Sequence, residues 1–269
     1  NGVIETSGSR PDCISIFAVD NNTVIGGTSF GIYTSNDNGA NWSLSSSHYF
    51  ICQKVVKLAN GRLVAVGKGM VSLNGKHVMV SDDNGASWMP ITFNPNESNI
   101  EIRDVAIDVN GNLYANSYSN SSTAAIGVYK STNAGSTWQH MGLEKTQHIA
   151  RVIIHPTNPD ILYVAAQGAL YGKSEERGIF KSIDGGKSWK KVLYVNDKTG
   201  CSELSMDKNN HRILYATMWE HGREPWKVTS GGPGSGVYKS VDSGKTWNKI
   251  HTGFPAGQLG RIAIAVAPS

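Results

Sequence analysis

The sequence predicts an all-β fold, a β-propeller of four-stranded blades, on three observations. A turn motif ending in tryptophan recurs five times, at spacings of 46, 50, 51 and 58 residues. Each copy is preceded by two apolar runs separated by a Gly, Asn or Pro turn. Charged residues make up only 17% of the chain and 30 residues are glycine, which suits short strands joined by tight turns.

Each repeat unit supplies four strand signals, A to D, with the recurring motif as the C–D turn. The first unit has its A and B runs in 14–27 and its motif at Ser35-Asn36-Asp37-Asn38-Gly39-Ala40-Asn41-Trp42. The second pairs 54–66, turning at Asn60-Gly61, with Ser81 to Trp88 around Asp83 and Gly85. The third pairs 103–115, turning at Asn110-Gly111, with Ser131 to Trp138, where Asn133 replaces the aspartate. The fourth pairs 151–165 with Ser182 to Trp189 around Asp184 and Gly186. The fifth pairs 203–216 with Ser240 to Trp247 around Asp242 and Gly244. Four-stranded units of about 50 residues are the spacing of propeller blades.

The motif's chemistry is that of a turn. Glycine supplies the positive φ. A carboxylate at Asp37, Asp83, Asp184 or Asp242, or the amide of Asn133, accepts backbone N–H groups and closes the loop without metal. The rings of Trp42, Trp88, Trp138, Trp189 and Trp247 are expected to bury between neighbouring sheets. Five equivalent aspartate positions do not make one catalytic cluster, so these residues read as structural.

Residues 1–269 read as a single propeller domain with five complete blades and partial strands at both ends. Asn1 to Gly8 reads as a D strand and Arg261 to Ser269 as an A strand. Either the two ends share a sixth blade, or the chain is a piece of a longer propeller. The full ring then has five to seven blades.

Composition excludes several classes. The net charge of +4 is spread without a basic run, so nucleic acid is not an expected partner. No apolar stretch approaches ~20 residues, so no membrane span is expected. Cys13, Cys52 and Cys201 form neither a disulfide framework nor a zinc pattern, though one pair could still meet in the fold. Phosphate-loop, zincin and Gly-x-Ser-x-Gly signatures do not occur, and no metal or cofactor is expected. The chain begins at Asn1 without a signal peptide, which reads as a processed product. Sequons at Asn21, Asn41, Asn96 and Asn120 are near chance in an Asn- and Ser-rich chain.

The motif resembles the Asp-box, or BNR, repeat of sialidases, xyloglucanase-like glycoside hydrolases and sortilin-type receptors. The second half is similar to bacterial BNR-repeat glycosyl hydrolase-like and sortilin-like proteins. His155-Pro156-Thr157-Asn158-Pro159, Glu175-Glu176-Arg177-Gly178, Leu193 to Gly200 and Gly231-Gly232-Pro233-Gly234-Ser235-Gly236 carry that resemblance. It implies a secreted, periplasmic or cell-surface propeller. It does not establish hydrolysis, because the repeat is scaffold.

In such a propeller the B–C and D–A loops share the face opposite the boxes, and chemistry is sought there. Two B–C loops are long. Residues 166–178 offer Tyr171, and residues 217–236 offer Trp219, Arg223 and Trp226 beside carboxylates. Aromatic faces with polar neighbours suit a glycan or an extended peptide. Arg103, Arg151 and Arg261 lie near the starts of three A strands. Sialidases grip a carboxylate with three arginines, but their Arg-Ile-Pro motif has no counterpart here beyond Arg10-Pro11-Asp12. Glycoside hydrolysis needs two facing carboxylates, for which Glu203, Glu220 and Glu224 are the candidates. Two functions follow. One is a binding propeller for a glycan or peptide. The other is a glycoside hydrolase. The oligomeric state is left open.

Overall fold

In the computed structural model the described residues are 12–46, 50–70, 76–93, 100–118 and 126–267. They form five antiparallel sheets. The first runs β1 (Cys13–Ala18), β2 (Val24–Thr28), β3 (Gly31–Ser35) and β4 (Ser43–Leu44). The second runs β5 (Phe50–Lys57), β6 (Leu63–Gly69), β7 (Val78–Ser81) and β8 (Met89–Ile91). The third runs β9 (Glu101–Ile107), β10 (Leu113–Tyr118), β11 (Gly127–Ser131) and β12 (Gln139–His140). A 3-10 turn, Glu144–Thr146, follows. The fourth sheet runs β13 (Ile149–Ile154), β14 (Leu162–Ala166), β15 (Gly178–Ser182) and β16 (Lys190–Leu193). The fifth runs β17 (Thr199–Met206), β18 (Leu214–Glu224), β20 (Gly236–Ser240) and β21 (Asn248–Lys249), with β19 (Lys227–Ser230) paired to β18. The expected strand at Asn1 to Gly8 lies outside the described residues.

The chain divides into two compact units. Unit 1 comprises 1–125 and 129–139, and unit 2 comprises 126–128 and 140–269. In unit 1 one core gathers Val64, Val80, Ile102, Val105, Leu113 and Tyr129, with Phe93 against the rings of Tyr129 (4.5 Å) and Trp138 (5.2 Å). A second gathers Ile25, Ile32, Phe50, Cys52, Leu63 and Trp88. The core of unit 2 gathers Tyr163, Ile179, Cys201, Leu204, Leu214 and Met218, with Trp247 packed against it. Strands buried on both faces read as apolar runs rather than clean alternation.

The five motif turns share one bonding pattern. Ser35, Ser81, Ser182 and Ser240 donate their hydroxyls to Asp37, Asp83, Asp184 and Asp242 at 2.7–2.8 Å. Each serine oxygen in turn accepts the N–H of the turn glycine, as Ser182 does from Gly186 at 2.9 Å. The carboxylate also takes the N–H four residues on, as Asp184 does from Ser188 at 2.9 Å. The Ser188 hydroxyl first, then these other donors, hold the Asp184 pKa at about 2, and the Thr246 hydroxyl and N–H hold that of Asp242 lower still. Asn133 keeps the pattern with one reversal, since its amide nitrogen donates to the Thr137 hydroxyl (2.7 Å).

A second repeated feature is a bulge in the first strand of every sheet. Register slips by one residue between Cys13 and Ser15, Cys52 and Lys54, Ile149 and Arg151, and Cys201 and Glu203. In the third sheet the slip skips Arg103, between the pairs Asp104–Asn116 and Ile102–Ser117. The three cysteines therefore occupy one register position in three strands. None forms a disulfide; Cys52 and Cys201 are buried, and burial pushes the Cys52 thiol up to about 12.

Two expectations are corrected. Residues 217–236 are not a loop throughout, because β18 runs on to Glu224 and turns back as β19. Residues 261–267 join no strand, although the Thr217 hydroxyl donates to the Ile262 carbonyl at 2.9 Å.

Candidate functional site

The site is built in unit 2 around Arg177, which is wholly buried. Its guanidinium donates to the carbonyls of Gln167 (2.9 Å), Ala169 (2.6 Å) and Gly172 (3.2 Å), and to Nε2 of His221 (2.8 Å). Three carbonyls and a ring nitrogen take the place of a carboxylate, and they fasten 167–172 onto the β15 entrance. Gly168 is required there: its φ is +78°, and an added Cβ would lie 2.3 Å from Arg177 Cγ.

His221 Nε2 lies 2.8 Å from an Arg177 nitrogen that can only donate, which suits a neutral ring, and 3.3 Å from the Gln167 carbonyl. Burial first, then the Arg177 charge, pull its pKa down to about 4. Its ring stacks on Trp219, centroids 4.3 Å apart. The Trp219 indole N–H donates to Ser230 Oγ (3.2 Å), and the Arg261 guanidinium lies 5.6 Å from the same ring. Alternation puts Trp219, His221 and Arg223 on one face of β18, with Val228 and Ser230 opposite them on β19.

The β18–β19 hairpin forms an arm with Pro225-Trp226 at its tip and Glu224 directly opposite Lys227. Trp226 is 81% exposed, and Tyr171 and Val228 are 67% exposed. Tyr171 sits beside the arm through a parallel bridge to Arg223. Arg177 and His221 thus anchor the two segments that carry these exposed rings.

The carboxylates are placed differently. Glu203 receives both prongs of Arg151, at 2.8 Å each. Glu220 takes the Gly234 N–H (3.0 Å), and an added Cβ on Gly232 would lie 2.3 Å from its carboxyl carbon. That carboxylate is enclosed by the Gly-rich turn 231–236. Glu224 is exposed on the arm. Arg103, in unit 1, is the bulge residue of β9; it lies 4.2 Å from the Tyr118 ring and 3.4 Å from Glu101. Arg103 and Arg151 therefore occupy different register positions, and Arg261 precedes no strand. Among the described residues no three His, Cys, Asp or Glu side chains gather as a metal group.

The Sortilin-Vps10 family model, whose description reads sortilin, neurotensin receptor 3, matches residues 126–260, half of the chain. The chain belongs to the Sortilin-Vps10 family. The match spans the fourth and fifth sheets, and so the whole arm of this Sortilin-Vps10 chain. A Paenibacillus xyloglucanase is 24% identical over 204 residues, 64% of this chain and 18% of the enzyme. Among solved structures, an ancestral GH74 enzyme aligns with TM-score 0.65 and 19% identity, over 88% of this chain and 31% of the enzyme. The GH74 xyloglucanase from Xanthomonas campestris aligns with TM-score 0.60 and 15% identity, over 93% and 40%. YCF48 bound to D1 peptide aligns with TM-score 0.50 and 16% identity, over 80% and 63%. This Sortilin-Vps10 chain thus spans well under half the length of the xyloglucanases it matches. The similarity to these structures is one of fold.

Proposed function

We propose that this chain is part of a secreted or surface-exposed Asp-box β-propeller of five to seven blades that binds a glycan or an extended peptide on its arm-bearing loop face. The carrying observation is the pair of projecting rings, Trp226 and Tyr171, held on segments that buried Arg177 and His221 fasten together. Aromatic side chains have few rotors to order on binding and offer a face to a sugar ring or an apolar side chain. The ligand in one structural relative, the D1 peptide on YCF48, favours a peptide. The xyloglucanase relatives favour a glycan. A bacterial surface component and an extracellular domain share the fold, which supports the location.

Hydrolysis is the second reading, favoured by the same xyloglucanases. It is weaker, because Glu203 and Glu220 are each engaged by structural partners. A glycan array with xyloglucan oligosaccharides, a peptide library and a chromogenic glycoside panel decide between them. Specific binding without turnover is the expected result. Turnover abolished by Glu203→Gln or Glu220→Gln would establish the enzyme reading instead.

A further inference from the structure

The two motif turns of unit 2 differ from those of unit 1 in a way the turn does not need. The residue before the Ser/Thr/Asn slot is Ala40, Ala86 and Ser136 in the first three copies, but Lys187 and Lys245 in the last two. The pair after the tryptophan is Ser43-Leu44, Met89-Pro90 and Gln139-His140, then Lys190-Lys191 and Asn248-Lys249. All five turns close on Ser, Asp or Asn, and Gly hydrogen bonds that use no lysine side chain, so these ammonium groups are not there to form them.

Of these, Lys190, Lys191 and Lys245 line a groove of about 470 Å³ between the fourth and fifth turns, joined by Lys181, around Trp189 and Ile183. Two ammonium groups are held in place. Lys181 donates to the Ser243 carbonyl (2.9 Å) over the Tyr163 ring, and Lys191 donates to the Glu175 carbonyl beside Tyr194. The ammonium groups of Lys190 and Lys245 make no hydrogen bond or ion pair among the described residues and stay available. The carboxylates of Asp184 and Asp242 are turned into their own turns. Burial, then the nearby Lys245, depress the Lys181 pKa, so the cations oppose one another across the groove.

We propose that this groove binds an anionic glycan, with its carboxylate or sulfate groups on Lys181, Lys190 and Lys245 and a sugar ring beside Trp189. Clustered cations whose nearby carboxylate, Asp242, is already engaged by its own turn favour an anion. A single indole with the aliphatic Ile183 suits the C–H face of a sugar ring. A nucleic-acid strand would need a succession of stacking rings, which this groove lacks. The site lies at the motif turns, apart from the arm.

Calorimetric titration of the whole chain with an oligogalacturonate and a heparin-derived tetrasaccharide tests the proposal; carboxylate and sulfate recognition are read separately. Binding of at least one probe, weakening as salt rises, is expected. Lys190→Glu and Lys245→Glu should each lower affinity about tenfold, roughly 1.4 kcal/mol. Lys145→Glu, the same charge change elsewhere, should leave it within about twofold. Three outcomes overturn the proposal: no binding of either probe at low salt, equal losses in all three variants, or tighter binding of poly-glutamate or single-stranded DNA than of either sugar.

Discussion

Arg151 and Glu203, on neighbouring first strands β13 and β17, form a two-pronged ion pair with both distances at 2.8 Å. Each is the residue just after its strand's bulge. Lys54 and Asp104 repeat the relationship in unit 1, at 2.6 Å. The bulge aims equivalent side chains of successive strands at one another, and opposite charges at that position tie the strands together.

A double-mutant cycle with Arg151→Met and Glu203→Gln should therefore return a coupling of about 1 kcal/mol in urea unfolding, at the upper end for a partly exposed pair. A coupling near zero would leave the pair with no part in joining the strands.

Arg177→Met should be much more damaging. It strands the buried Ala169 carbonyl, at a cost of about 1–3 kcal/mol, and releases the part-buried bonds to the Gln167 and Gly172 carbonyls. Hydrogen exchange should show protection falling first in 167–172 and in the β18–β19 arm. Gly168→Ala should do the same, since it combines a positive φ with a clash.

Stability should depend on pH through His221. Its folded pKa of about 4 lies below the ordinary value of 6.5. Between those values the unfolded chain binds a proton that the native protein does not. The contribution is complete above pH ~6.5, falls as the pH drops to ~4 and is then exhausted, with a ceiling of about 3 kcal/mol. His221→Gln should flatten that part of the stability curve, measured by urea midpoints from pH 4 to 7.

The turn carboxylates should tolerate amides better than truncation. Asn133 already fills the role with Oδ1 accepting the Thr137 N–H at 2.9 Å. Asp83→Asn should leave the thermal midpoint nearly unchanged, while Asp83→Ala should lower it clearly. Equal effects would show that the hydrogen bonds of the turn are dispensable.

The motif turns were legible in the sequence because each packs Ser, Asp, Gly and Trp into eight residues at a regular spacing. The strands before them were legible as apolar runs. The bulges were not, since a two-against-one pairing leaves no local signature; only with the register known do Cys13, Cys52 and Cys201 become one position. The arm was hidden by Gly222 and Pro225, which punctuate it as a loop although Val228 and Thr229 favour a strand. Arg177 was hidden by its neighbours, because Glu175-Glu176-Arg177 is a run of charges of the kind usual at a surface. Nothing local shows that the third member turns inward onto carbonyls.

In the proposed function, ligand is held by the rings that the arm and the 167–177 segment project. The most direct test is the affinity of the strongest array or library hit for wild type, Trp226→Ala and Tyr171→Ala, by calorimetry at constant salt. Loss of about tenfold or more in each variant, with unfolding midpoints unchanged, is the predicted result. Wild-type affinity in both variants would contradict it and move the binding surface elsewhere.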